Sequence, residues 1–429
     1  MGSEWRDQVY LVELKLIMRK IVFLFLLTGL LTGCEYTSYQ VLSYNVNEPV
    51  FITREEFRNS VKVTSQPQEL KTYGKIGSYE AYLYISEPNE GIHIINNANP
   101  SNPQNIGFIR LMGNRDLIIR NQFLYADSYT DLVWFDLSNP SLPVLKGRVE
   151  NIFPDAFPVI DNEYDYDYSL CIEGIENDQV VVGWLFTERI DEIPYGADSS
   201  ESHPSLIAKS GEGLESMSRF ALHDTYLYAV INNQMSIIDL STGTPRKVEG
   251  NIYISNHVET VFSYQDKMFI GTSFGLLIYS LQEPLNPVLC SQVMHIYDCN
   301  PIAMNDTLAY VTIRVGNQCG QKSNELIVLD MSDAYQPAQI ASYPMYNPKG
   351  MLVNKDVLFV CDDGLKIFNL SNPNALNSQL ITHYNEIDGY DIVSSNNVVI
   401  VISDNGLHQY DCSNLSHLNL LSVIPFRPS

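Results

Sequence analysis

KMFIGTSFGLLIYSLQEPLNPVLCSQV, at residues 267–293, reads as an apolar strand, a short Ser/Gly turn, a second apolar strand, a Pro-bounded turn and a third strand. The same grammar returns six more times. Anchored on the centre of its first strong strand, each unit is marked by Tyr84, Tyr125, Tyr228, Phe269, Tyr310, Phe359 or Ile400, with gaps of 41, 103, 41, 41, 49 and 41. Four identical gaps of 41 match the size of a propeller blade. A small polar residue (Asn96, Asp136, Asp239, Ser280, Asp330, Asn369, Asp411) follows each second strand and opens a turn such as LSNPSLP at 137–143. Asn, Asp, Ser and Pro suit that turn by capping backbone N–H groups and fixing φ.

The runs YLYI (82–85) and MFIG (268–271) are apolar without clean alternation, and too short for helices. Strands apolar on both faces need cover on both faces, which radially stacked blades supply. A unit of about 40 residues holds about four strands of about 5–6 residues. The expected fold is therefore all-β, a single seven-bladed β-propeller over residues 71–424. Its innermost strands lie just before the anchors, at 116–119, 260–263 and 391–394 among others. Such a ring must close, so the first and last blades are expected to meet, aided by VKVT at 61–64.

Two segments stand outside the repeat. Residues 1–33 hold a basic pair, Arg19-Lys20, an apolar run at 21–31, and LTGC ending on Cys34. This resembles a bacterial lipoprotein signal starting at Met18, with Cys34 as the lipidated residue. Residues 34–70 read as a tether and arm, with a short helix near 54–60. An insertion at about 151–217 separates blades two and three. It carries EYDYDY (163–168), a strand candidate QVVVGWL (179–185) and, at 187–215, a loop with seven carboxylates against two bases. No Asp-x-Ser-x-Pro turn follows the strand candidate, which argues against an eighth blade.

The net charge of −24 argues against nucleic acid or an anionic membrane surface as the main partner. HExxH, P-loop and CxxC motifs are absent from the sequence, and GTSFG at 271–275 matches GxSxG only as a turn between two strands rather than a strand-to-helix elbow, so no catalytic residue, metal site or cofactor is assigned. Topology supplies one constellation. Nine or ten residues before the anchors, where inner strands begin on one face, stand Arg115, Asp116, Arg219, Glu259, Lys349, Tyr390 and Asp391, with Asp298 and Asn300 nearby. The loops on that face differ from blade to blade and carry Glu87, Glu90, Asp127, Asp131, Asp362, Asp363 and Asp404. Cys299 and Cys319 fall on the same face and are expected to form a disulfide, which export would permit.

GLLIYSLQEPLNP, DLVWFDLSNPSLP and GLKIFNLSNPNAL resemble the LVIVD repeat of secreted and lipid-anchored bacterial proteins. REEFRNSVKV, ETVFSYQDKMFIG and YVTIRVGNQCG extend the resemblance to LVIVD-repeat lipoproteins of Bacteroidetes. It implies a propeller in the cell envelope, attached to the outer membrane, and little about activity. The reading is a monomeric binding or scaffold module for a glycan, peptide or envelope protein. A hydrolase or lyase using funnel carboxylates is the alternative.

Overall fold

Each of the seven repeats forms an antiparallel sheet whose strands lie in chain order. In sheet 4, Val258–Tyr264, Lys267–Thr272, Gly275–Ser280 and Val288–Val293 lie side by side. The computed structural model describes Met18 and residues 39–153, 156–160, 164–194, 206–207, 219–231, 233–254, 258–272, 275–294, 301–315 and 323–427. Cys34, Asp298, Cys299, Asn300 and Cys319 lie outside the described residues, as does the side chain of Glu259.

Local chemistry explains the regularity. The turn between the first two strands of each sheet opens on a left-handed residue: Glu80, Asn121, Asp224, Gln265, Asp306, Lys355 and Asn396 have φ between 50° and 56°. At the other end, the expected caps are in place. Asp136 Oδ1 accepts from Ser138 N at 2.8 Å, Asp330 from Ser332 N at 2.9 Å and Asn369 from Ser371 N at 2.8 Å. Sheets 3 and 6 depart from the pattern. The outer edge of sheet 3 is split into Arg246–Lys247 and Ile252–Tyr253. In sheet 6 a 3-10 helix, Pro373–Gln379, precedes the outer strand Leu380–Tyr384.

The strands bury both faces because each sheet packs on two neighbours. Tyr84 and Ile94 of sheet 1 meet Leu124 and Val133 of sheet 2, Phe269 of sheet 4 meets Val311 of sheet 5, and so on in order. A seventh core joins Leu83, Ile85 and Ile95 of sheet 1 to Ile400, Ile402 and Leu407 of sheet 7. There Asn97 and Gln409 exchange two side-chain hydrogen bonds of 2.8 Å. The Pro turns are gripped by the preceding sheet: Tyr84 Oη donates to Pro140 O at 2.7 Å, Tyr228 Oη to Pro284 O at 2.8 Å and Tyr343 Oη to Pro373 O at 2.5 Å. Ser422 Oγ does the same for Pro100 O at 2.6 Å, from sheet 7 to sheet 1.

The N-terminal region and the insertion differ from expectation. Tyr39–Thr53 is a 15-residue strand rather than a tether. It joins a four-stranded sheet with Tyr166–Asp167, Gln179–Pro194 and Leu206–Ile207 from the insertion. Residues 187–194, expected in a loop, belong to that long strand. The insertion also holds a helix, α2, at Tyr168–Glu176. By contacts the chain forms two units: 1–48, 164–169 and 186–208 in the smaller, the remainder in the larger. In the smaller unit, Arg189 bridges buried Asp167 at 2.7 Å and Glu48 at 2.8 Å, so the carboxylate of the EYDYDY run is engaged internally.

In the larger unit, helix α1 (Arg54–Asn59) starts from a capping box between Thr53 and Glu56. Its Phe57 is fully buried in a core with Tyr129 and Val180. Arg58 Nε and Arg148 Nη1 meet the buried Asp131 carboxylate at 3.1 and 2.7 Å. Gly113 permits this packing, because its φ is +73° and a Cβ there would sit 2.3 Å from Tyr129 Cγ. The strand after α1, Lys62–Thr64, pairs with Gln104–Arg110 and extends sheet 1 outward. It does not bridge sheets 7 and 1, since its register is set by the free edge of sheet 1.

Candidate ligand face at the inner strands

The first strands of adjacent sheets run beside one another, which brings their preceding residues to one region. Asp116 sits there fully buried. Its Oδ1 accepts from Leu117 N at 2.7 Å, and its Oδ2 from Arg219 N at 2.5 Å and Phe220 N at 3.0 Å. It therefore ties sheet 2 to the start of sheet 3 across the long insertion. Asp127 Oδ1 accepts from Arg115 N at 2.8 Å, Asp116 N at 2.9 Å and Asn114 Nδ2 at 3.1 Å. Arg219 Nη1 stands 3.8 Å from Asp127 Oδ2, and Arg115 Nη2 donates to Phe157 O at 3.1 Å.

Both of these carboxylates are buried, and burial raises both. Burial pushes the Asp116 carboxyl up to about 6, Lys75 opposes it, and the Asp127 charge adds to it. Burial also pushes Asp127 up, against Arg219 and the N–H donors. At Asp131, burial is outweighed by Asn151 N–H, Arg148 and Arg58, which hold its carboxyl below the usual range.

A second group gathers at sheets 6 and 7. Lys349 Nζ lies 3.8 Å from Asp388 Oδ1, and Asp391 Oδ1 accepts from Ile392 N at 2.8 Å, as Asp116 does from Leu117. Burial and the nearby Asp391 carboxylate push the Cys361 thiol well up, with Lys349 opposing. Tyr390 packs beside Tyr73 with ring centroids 5.7 Å apart. The structure thus brings Arg115, Asp116 and Arg219 into one cluster and Lys349, Tyr390 and Asp391 into the neighbourhood of another. Several loop carboxylates of this face turn inward: Glu87 meets buried His93 at 2.5 Å, and Asp362 meets Lys366 at 2.6 Å. Lys75 and Asn114 complete the first cluster and were missed. The offset that finds Asp116 from Tyr125 finds Lys75 from Tyr84, so the signal was present for the lysine.

Among the described residues, no group of three or more His, Cys, Asp or Glu is arranged to hold a metal ion. No helix among them is long and apolar enough to cross a membrane.

These features define an all-β repeat protein of the propeller type. Two consecutive units, residues 75–109 and 114–151, match the LVIVD repeat, so the chain carries LVIVD repeats. No curated protein matches the chain. Among solved structures, a functionally unknown protein from Desulfotomaculum acetoxidans is similar in fold at TM-score 0.50 and 10% identity, covering 81% of this chain and 98% of that one. The computationally designed Ika8 protein aligns at TM-score 0.47 and 8% identity over 82% and 87% of the two chains. Hsv2 of Kluyveromyces lactis aligns at 0.45 and 11% over 83% and 100%.

Proposed function

We propose that this chain is a lipid-anchored, seven-bladed β-propeller of the cell envelope, of the Bacteroidetes LVIVD type. In this reading it serves as a binding or scaffold module for a glycan, peptide or partner protein. Seven cores between seven consecutive sheets, the last joining sheet 7 to sheet 1, support the closed ring. The lipid anchor rests on the sequence around Cys34, and with it the outer-membrane location.

The observation that carries the binding reading is the way Asp116 and Asp127 are used. Both carboxylates accept from backbone N–H groups, and the charges around them are the side chains of Lys75, Arg115 and Arg219. Arg219 and Lys349 keep 11% and 28% of their side-chain surface exposed. A fixed cationic rim on a rigid scaffold suits an anionic group, a uronate, sulfate or acidic side chain, on an otherwise acidic protein. The raised carboxyl of Asp116 is what favours acid/base catalysis as a second reading. Against it, both oxygens already accept backbone hydrogen bonds.

Binding is tested with a panel of uronate- and sulfate-bearing oligosaccharides and acidic peptides. The variant Arg115→Ala/Arg219→Ala/Lys349→Ala is compared with a variant in the Pro turns at 137–143 and 281–287. Loss of binding only in the first supports the site. Loss only in the turn variant, with both proteins folded, places binding on the opposite face and sinks this reading.

A further inference from the structure

The sheet built from the N-terminal strand and the insertion carries its polarity the wrong way round for water. A sheet with one solvated face ordinarily keeps apolar side chains on the covered face and polar ones outside. Here Arg189 meets Glu48 and the buried Asp167 on one face of the neighbouring strands Tyr39–Thr53 and Gln179–Pro194. On the other face Ser43 Oγ donates to the Glu188 carboxylate, which fixes the side the two strands share. Side chains two apart along a strand point the same way. Val41 therefore stands beside Ser43, and Phe186 and Ile190 flank Glu188. Val41, Phe186 and Ile190 are 66%, 48% and 64% exposed. The ring of Tyr164 lies 4.8 Å from that of Phe186 and borders the same patch. All of these residues belong to the smaller unit.

We propose, resting on the reading of Cys34 as the lipidated residue, that this face docks on a zwitterionic phospholipid bilayer, with Val41, Phe186 and Ile190 entering the boundary between headgroups and acyl chains.

Three observations select that occupant. Tyr39 is five residues beyond Cys34, and at no more than about 3.6 Å per residue the strand begins within about 18 Å of an acyl anchor. Val41 is only two residues further on. A face tethered so close to a bilayer meets it at high effective concentration, so a few apolar side chains suffice as the second signal. The patch combines aliphatic side chains with Phe186 and Tyr164, and a phenol beside apolar groups suits the level where hydrocarbon meets headgroups. Charge sets the kind of lipid. A chain of net charge −24 is repelled by anionic headgroups, whereas the Glu188 carboxylate within the patch can meet the ammonium of phosphatidylethanolamine.

The test uses the full-length protein purified from bacterial membranes and reconstituted into phosphatidylcholine/phosphatidylethanolamine vesicles brominated near the headgroup end of the acyl chains. The indole introduced by Ile190→Trp should emit at shorter wavelength in the vesicles and lose fluorescence to the bromine, beyond any loss in the parent protein. Adding Val41→Asp/Phe186→Asp should abolish that quenching. The mass of the N-terminal peptide reports acylation separately. Acylated protein whose new indole is not quenched overturns the docking and leaves the anchor standing. If the peptide carries no acyl group, the anchor reading falls; quenching that persists then supports the face by itself, and its absence overturns both. A dimer in detergent that dissociates on Val41→Asp/Phe186→Asp assigns the face to a second copy and also overturns the proposal.

Discussion

Replacing Gln409 with alanine cuts the amide pair that joins sheet 7 to sheet 1. In the native protein each carboxamide donates to the other at 2.8 Å, with Gln409 fully buried and Asn97 8% exposed. The substitution removes both bonds and leaves one donor and one acceptor of Asn97 unpaired where water enters poorly. An unsatisfied buried group costs about 1–3 kcal/mol, and the lost methylene packing about 0.8 kcal/mol per group. Ser422 loses a weaker 3.3 Å bond but keeps Pro100 O. The expected loss is about 3–4 kcal/mol, a large share of the roughly 5–15 kcal/mol that stabilises a typical domain. Urea unfolding followed by tryptophan fluorescence measures it. Hydrogen exchange should show the strands of sheets 1 and 7 opening first. The companion Asn97→Leu/Gln409→Met replaces both partners with apolar groups of similar shape and should lie within about 1 kcal/mol of wild type. A change below about 0.5 kcal/mol for Gln409→Ala, or a double variant as damaged as the single one, would refute the view that this pair holds the seam.

Asp131→Ala should cost about 3 kcal/mol near neutral pH, because Arg58 and Arg148 lose their shared partner in a largely buried site. Since the Asp131 carboxyl is held low, its contribution is present above the ordinary carboxylate range and fades as pH falls through its depressed value, so the difference should shrink in acid unfolding curves. Asp116 has the opposite sign. Its carboxyl is raised to about 6, so between roughly pH 4 and 6 the folded protein binds the extra proton and stability declines as pH rises, by on the order of 2–3 kcal/mol. Asp116→Asn should flatten that slope, and an unchanged slope in urea midpoints would remove Asp116 as its source. Cys34→Ala should leave the membrane fraction or fail to mature; processed protein that stays in the membrane would count against the anchor. Non-reducing peptide mapping should find Cys299 joined to Cys319, and a free Cys319 thiol would reject the pair.

The parts of the fold that were legible are those written locally. The apolar anchor, the small polar cap two residues before its N–H donor and the turn that follows all fall within one unit, so one reading served seven times. Tyr39–Thr53 was not legible because its partners stand in the insertion; Asn47 pairs with Tyr166, and nothing near residue 47 announces that. Thr187–Pro194 misled by composition, since its charges, such as Arg189 and Glu188, are on a strand. The same limit applies at the ligand face. The offset from the anchors found Arg115, Asp116 and Arg219, but not that Asp116 would cap the backbone of Arg219, 103 residues away. Whether a carboxylate faces solvent or a backbone amide depends on the neighbouring blade, which a single repeat does not contain.

The grips on the Pro turns also have a direction. Tyr84 holds the turn of sheet 2, Tyr228 that of sheet 4, Ser291 that of sheet 5, Tyr343 that of sheet 6 and Tyr384 that of sheet 7. Each of these five hands reaches towards the C-terminus, so a chain emerging from its N-terminal end can fasten those turns as they appear. The turn of sheet 1 is the exception, because the hydroxyl that holds Pro100 belongs to Ser422, 322 residues later. Until the last strand arrives, the first sheet waits with one apolar side bare. Exposed apolar surface favours aggregation, so removal of the strand that carries Ser422 should be far more damaging than the loss of seven residues elsewhere on the rim.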